Sequence, residues 1–408
     1  MIKDMVDDEA TQATNDDASE CKRHAVNLGY WTDPFINFFV RQTIRKPPEI
    51  NRGYYARVKG MEYFIERFLK RSVEIVLYSR HAQKGVFLKL KLIFFFLLIS
   101  YLPDKISALI SSQKSVRHIK SISIIIYIIK RISKILWPYP HQFFIYLYLL
   151  YICIYEKYIK MHLSDGKGQI INLGAGFDTL YWRLKDARKS PQNFVELDFP
   201  SVTAKKAYHI KKHKQLIDRL NTEDGEIKFS TTDLHAADYH LIGTDLRHIS
   251  ELSNKLTQAE VDFNSPTLFL SECVLVYIDS NATSFLIKWL AQKFPNSLFV
   301  NYEQVNMRDK FGQVMLSNLR CRGCLLAGVE DCESLETQQR RFTINGWEGS
   351  SSWTMVEIYD SLPESERKRI ERIEMLDERE LLTQLLQHYC IAIAWNGPMF
   401  KNISIAHG

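Results

Sequence analysis

Two kinds of residue that can do chemistry recur from residue 169 onward in this 408-residue chain: glycines in a tight turn, and carboxylates at the ends of apolar runs. The turn is Gly174-Ala175-Gly176, which follows Ile170, Ile171 and Leu173 and precedes helix-forming residues. In a doubly wound sheet, such a turn after the first strand lets a ligand approach the backbone closely. The dinucleotide pattern G-x-G-x-x-G is incomplete, because residue 179 is Thr, and this argues against a pyrophosphate site. A lone G-x-G is equally compatible with a plain turn. The stretch "FVELDFP" (194–200) adds weight: Glu196 and Asp198 end the next apolar run, about 20 residues on, where an acid grips ribose hydroxyls. Asp245 in "IGTDLRH" and Glu272 in "TLFLSECVLVY" close two further runs. Acids at successive strand ends suit a nucleoside-type ligand that carries positive charge. S-adenosylmethionine, a sulfonium bearing ribose and adenine, fits better than anionic NAD.

These residues need strands to carry them. Apolar patterning predicts strands at 169–173, 193–197, 239–243, 266–271, 297–302 and 390–396, with helices between them at 178–187, 201–219, 281–293, 309–326 and 377–389. Strand-helix alternation implies an α/β fold with a mostly parallel sheet covered on both faces. Residues 18–72 read as helical, broken at "KPPEINRG" (46–53), where the prolines punctuate the helix. Residues 1–17, acidic and polar, read as a disordered tail.

Residues 73–160 stand apart. They contain one glycine, 13 Lys or Arg and 3 acids, so they carry +10 and leave −4 for the remainder of a chain whose net charge is +6. The basic balance therefore belongs to one segment and gives no support to nucleic-acid binding by the glycine-turn domain. Apolar runs at 92–102, 122–129 and 143–155 are each shorter than the roughly 18 to 20 residues of a membrane span. The segment reads as an insertion foreign to the fold, with a membrane-associating element or ordinary helical core as alternatives. Membrane association, if any, is expected only through this segment. The domain that carries the site is 161–408.

The seven cysteines are sparse and odd in number, and no signal peptide opens the sequence, so reduced thiols and a cytoplasmic location are expected. "CRGC" (321–324) lacks a second ligand pair beyond Cys332 and His388, and no metal is expected.

The stretches "CKRHAVNLGYWTDPF", "PEINRGYYARV", "INLGAGFDTLYWRLK", "VELDFP", "IGTDLR", "SECVLVYI" and "NYEQVNMRDKFGQVM" resemble the leucine carboxyl methyltransferases. The resemblance covers about 17–71 and then 168 to the C-terminus; only 73–160 has no counterpart in it. It implies a Rossmann-like S-adenosylmethionine-dependent methyltransferase with an N-terminal helical lid, acting on the C-terminal leucine of the type 2A protein phosphatase catalytic subunit. By motif, Lys22 and Arg57 would reach the methionine end of the cofactor and the substrate carboxylate. Gly174 would underlie the methionine part, Asp198 would hold the ribose, and Asp245 and Leu246 would meet the adenine. Glu272 would face the cofactor's amino end, and Tyr277 would line the reaction pocket. A monomer is expected. Two rival functions remain open: the tRNA wybutosine-type branch of the same family, and a non-catalytic, membrane-associated relative. The wybutosine branch is expected to carry a long C-terminal repeat domain, whereas this chain ends about 12 residues after its last expected strand.

A C-terminal carboxyl, with an ordinary pKa near 3.5, is already ionised at neutral pH, so the implied chemistry needs no general base. It needs a group that aims the carboxylate, and an arginine can do so with two parallel hydrogen bonds.

Overall fold

A computed structural model of the chain describes residues 2–40, 44–72, 168–220 and 226–405. The chain divides into two units, Met1–Glu74 with Asp165–Gly408, and Ile75–Ser164. The expected insertion at 73–160 lies outside the described residues.

Nine described strands form one mixed sheet in the order β3-β4-β5-β2-β1-β6-β7-β9-β8. Five are mutually parallel: β5 (Tyr239–Gly243), β2 (Asn193–Asp198), β1 (Gln169–Leu173), β6 (Thr267–Glu272) and β7 (Ser297–Gln304). β9 (Tyr389–Asn396) runs antiparallel beside β7, and β8 (Gly349–Thr354) antiparallel beside β9. The two-residue strands β3 (Lys228–Phe229) and β4 (Leu234–His235) extend the other edge. The six expected strands all form; β3, β4 and β8 carry too few apolar residues to have been read.

β1 is buried along its whole length, as a central parallel strand covered on both faces must be. Its alternate side chains serve different cores. Ile170 joins Phe194, Leu268 and Leu298 on one face, whereas Ile171 and Leu173 join Val195, Phe269 and Phe299 on the other. Capping secures several of the covering helices. Asp279 accepts from the amides of Asn281 and Ala282 at the start of Ser280–Lys293, and Ser334 with Thr337 forms a capping box on Leu335–Thr343.

The N-terminal region differs from expectation in one respect. Helix α1 runs Ile2–Asn27 and so takes in residues 2–17, read from composition as disordered. Its contacts supply what composition lacks: Asp8 pairs with Arg247 at 2.7 Å, and Asn15 bonds the glycine turn. A short α2 (Ile36–Phe39) follows, and α3 is helical through 48–72, starting at Pro48, where a missing N–H costs nothing. Gly60 of α3 faces Ile391 of β9 and Ile358 so closely that a Cβ would meet their side chains at 2.6 and 2.9 Å.

Because β1, β2, β5 and β6 are parallel, their carboxyl ends lie along one edge, and the residues just beyond them converge there.

Candidate functional site

That edge opens into a cavity of about 560 Å³, closed on its other side by residues of α1 and α3. Lys22, Arg57, Gly174, Asp198, Asp245, Leu246, Glu272 and Tyr277 all line it.

The glycine turn forms its floor. Gly174 and Gly176 have φ of +63° and +49°, the left-handed region that glycine adopts without strain. A Cβ on Gly174 would also meet Val274 at 2.5 Å, and one on Gly176 would run into the Asn15 side chain. At the end of β2, Asp198 accepts the Gly176 amide through Oδ2 (2.6 Å) and the Phe199 amide through Oδ1 (2.7 Å). Burial pushes its carboxyl up, and these two amides with Lys206 oppose the rise. Asn15 Oδ1 accepts the Phe177 amide at 2.8 Å, so α1 is pinned directly on the turn.

Glu196, read as a second strand-end acid, does not line the cavity. It shares a face with Asp198 but sits one pleat inward. There it is fully buried, 2.5 Å from Lys206 Nζ, and it accepts the Tyr239 hydroxyl at 2.6 Å. Burial raises its carboxyl to about 7 despite Lys206. Sequence alone cannot separate a buried paired acid from a ligand-facing one two residues away.

At the adenine end of the expected cofactor site, Asp245 and Arg247 form a fork with Nε–Oδ1 and Nη2–Oδ2 at 2.9 and 2.7 Å. Burial tends to raise the Asp245 carboxyl, but Arg247 prevails and lowers it. Leu246 is buried in the adjacent core. The Thr244 hydroxyl is buried in the same wall with no hydrogen-bond partner among the described residues.

At the opposite end, Arg57 reaches from α3 to the end of β6. Its Nε donates to Glu272 Oε2 at 2.6 Å and its Nη2 to the Glu272 carbonyl at 3.2 Å, while Lys22 Nζ lies 3.5 Å from the same Oε2. A guanidinium carries five N–H donors, and among the described residues the Nη1 edge of Arg57 has no hydrogen-bond partner, so it is left for a further one. Burial alone would raise the Glu272 carboxyl; Lys22, Arg57 and Arg183 outweigh it and hold it at about 2. The Arg57 guanidinium also stands 4.6 Å from the Tyr302 ring centre and 5.6 Å from that of Tyr54. Tyr302 stacks on Tyr389, with centroids 5.3 Å apart and planes 7° from parallel. Burial pushes the hydroxyls of Tyr54, Tyr277 and Tyr302 well above the usual tyrosine range, so none is a base at neutral pH.

Asn15, Tyr54, Tyr389 and Gln304 line the cavity and were not read from the sequence. Tyr54 had a signal: three residues before Arg57 on a helix, it shares that residue's face.

The arrangement suits a nucleoside with a charged amino-acid arm. It offers a glycine floor with no room for Cβ atoms, three carboxylates at strand ends, an unpartnered buried hydroxyl, and a volume within the usual 300 to 1,000 Å³ of ligand pockets. Among the described residues, no group of three or more His, Cys, Asp and Glu side chains is placed to hold a metal.

Comparison with known proteins follows the same line. The family profile described as "Leucine carboxyl methyltransferase" matches residues 134–291, a span that begins inside the segment read as 73–160. "Leucine carboxyl methyltransferase 1" of Rattus norvegicus is 37% identical over 396 residues, covering 96% of this chain and 91% of that protein. "Leucine carboxyl methyltransferase 1 homolog" of Arabidopsis thaliana is 30% identical, covering 96% and 90%. "tRNA wybutosine-synthesizing protein 4" of Homo sapiens is 31% identical over 96% of this chain but only 45% of its own length. Among solved structures, a loose likeness is an O-methyltransferase from neocarzinostatin biosynthesis, solved with S-adenosylmethionine: 10% identical, TM-score 0.33, covering 57% of this chain and 49% of that one. The end-to-end match to the rat and plant proteins decides the matter: the chain belongs to the leucine carboxyl methyltransferase family and is an S-adenosylmethionine-dependent methyltransferase.

Proposed function

We propose that this chain methylates the α-carboxylate of a C-terminal leucine, that of the type 2A protein phosphatase catalytic subunit, to give a methyl ester. The observation that carries the reading is Arg57. It is held by Glu272 at the junction between the acid-lined and aromatic parts of the cavity, with its Nη1 edge unspent.

S-adenosylmethionine supplies a methyl group on a positively charged sulfur, open to attack by an oxygen nucleophile. Asp198 would hold the ribose, Asp245 and Leu246 the adenine, and Glu272 with Lys22 the amino-acid arm above Gly174. The substrate carboxylate is ionised before it binds, so no proton is moved, and the raised tyrosines are consistent with that. Arg57 aims one carboxylate oxygen. Its pairing also blunts that oxygen as a nucleophile, and positioning must outweigh the loss. Well-oriented reactants gain up to roughly 7 to 11 kcal/mol, which leaves ample margin. α1 and α3 exclude water from a step in which a carboxylate and a sulfonium neutralise each other.

The six described cysteines are free thiols, in keeping with a cytoplasmic location, and we take the working form to be a monomer. No helix among the described residues is long and apolar enough to cross a membrane. The test is transfer of radiolabelled methyl to the phosphatase catalytic subunit, with the subunit lacking its terminal leucine as the blank. Transfer only to the intact subunit supports the reading. Equal labelling of both, or labelling of tRNA in its place, overturns it.

A further inference from the structure

Glu303 lies at the end of β7 with no exposure to solvent, and it takes no part in the cavity wall. Its Oε2 accepts the Val276 amide at 3.0 Å. Val276 is the middle residue of the 3₁₀ turn Leu275–Tyr277, which Cys273 and Val274 join to the end of β6. This segment carries much of the reaction end of the cavity. Glu272 opens it and binds Arg57 through both side chain and carbonyl. Cys273 has φ of +56°, a conformation a cysteine holds only when its surroundings demand it, and its amide donates to the Tyr302 carbonyl at 2.7 Å. Val274 lies where it would meet a Cβ on Gly174. Tyr277 ends the turn in the cavity wall.

The turn is pinned by backbone contacts on its far side. Gly328 donates its amide to the Val276 carbonyl at 2.8 Å, and a Cβ on Gly328 would meet the Ile278 carbonyl at 2.5 Å. Among the described residues, Glu303 is the one side chain that binds a backbone amide within the turn from the sheet side. An apolar residue at 303 would leave the Val276 amide without this acceptor and the buried Arg341 without this acid beside it. A buried carboxylate there is costly unless its bond does something.

We infer that Glu303 is a positioning residue for methyl transfer: by holding the Val276 amide it sets the turn that presents Val274 and Tyr277 to the reacting groups. The inference rests on the methyltransferase reading above. The groups that face Glu303 are Arg341 from the helix Leu335–Thr343, Arg57 from α3, the thiols of Cys273, Cys332 and Cys390, and Tyr389. Burial pushes those thiols and Tyr389 up, so they stay neutral near pH 7, and Glu272 with the neighbouring groups holds Arg57 charged. Burial likewise raises Glu303, to about 7, against Arg341 and the two backbone amides that it accepts. Of this cluster, Glu303 alone changes charge near neutrality. Its ionised form makes the stronger bond to Val276.

The test uses the full chain and two variants, Glu303→Gln, which keeps an oxygen acceptor, and Glu303→Leu, which does not. Wild-type kcat at saturating cofactor and phosphatase subunit should rise roughly three- to tenfold from pH 6 to pH 8, the gain of a charged over a neutral acceptor. Glu303→Gln should stay flat at about the low-pH level, and Glu303→Leu should fall below it. Affinity for S-adenosylmethionine, measured by titration calorimetry, should change less than kcat does in either, because the ribose and adenine acids Asp198 and Asp245 lie away from the turn. Amide exchange over 273–279, which needs no activity, should quicken in Glu303→Gln and still reports if the leucine variant fails to fold. The inference is overturned if Glu303→Gln keeps the wild-type pH limb, or if its exchange over 273–279 is unchanged. Inactive wild type would contradict the methyl-transfer reading instead, and the exchange result would still judge the turn.

Discussion

Arg57 on α3 and Glu272 at the end of β6 are 215 residues apart in sequence, and their side chains meet at 2.6 Å. The contact joins the helical lid to the sheet edge and spends only part of the guanidinium. Lysine cannot replace such a residue, because an ammonium offers a point charge and no planar fork. Arg57→Lys should stay folded and lose methyl transfer by roughly ten- to a hundredfold, the loss of one charge-assisted pair. Steady-state kinetics with circular dichroism as the folding control check this. Near-wild-type activity would mean that the carboxylate is aimed by another group.

Asp198 should matter to cofactor affinity more than to fold. It ties the Gly176 amide to β2 and faces the cavity, so Asp198→Ala removes both a turn anchor and the expected ribose acceptor. Calorimetric titration with S-adenosylmethionine should show binding weakened at least about tenfold, a hydrogen bond to a charged group being worth about 1.5 to 3 kcal/mol. Equal affinity in wild type and variant would remove the ribose assignment.

Excision of residues 73–160 should leave the fold intact. A Cβ on Gly168 would meet Ser72 Cβ at 3.2 Å, so the chain leaves and rejoins the sheet unit at one place. Residues 161–167 remain to bridge a gap that small. The shortened chain should bind S-adenosylmethionine with wild-type affinity and unfold cooperatively. An insoluble or unfolded product, beside a folded parent, would show that the apolar runs belong to the core.

Buried carboxyls give stability a readable pH dependence. Glu272 is held at about 2, below its ordinary 4.5, so its contribution is fully present above about pH 4.5 and is lost as pH falls toward 2. Glu196 and Glu303 are raised to about 7. Between pH 4.5 and 7 the folded chain keeps protons there that the unfolded chain has released, so stability declines as pH rises through that window. Thermal unfolding between pH 5 and 8 should show the decline in wild type and lose most of it in the Glu196→Gln, Glu303→Gln double variant. The same slope in both would mean that these carboxyls titrate in the ordinary range.

The parallel core and most of the cavity floor were legible in the sequence because both follow from local patterning. Apolar runs end in Gly174, Asp198, Asp245 and Glu272, and parallel strands bring such ends to one edge. Contacts between distant segments were not legible. Helix α1 is polar along much of its length, and what it touches is the rim: Arg247, the Phe177 amide and the Tyr277 side chain. The aromatic wall joins Tyr54 of α3 with Tyr302 and Tyr389 of adjacent strands, and no single stretch contains it. Glu196 looked like Asp198 until Lys206, ten residues on, proved to face it.

The most direct measurement is the chemical nature of the product. Phosphatase catalytic subunit labelled by this chain with tritiated methyl S-adenosylmethionine should release its label as volatile methanol in mild alkali, because a carboxyl methyl ester is base-labile, and carboxypeptidase removal of the terminal leucine beforehand should abolish labelling. Label that survives alkali, or that persists without the leucine, would contradict methyl esterification of the C-terminal carboxylate.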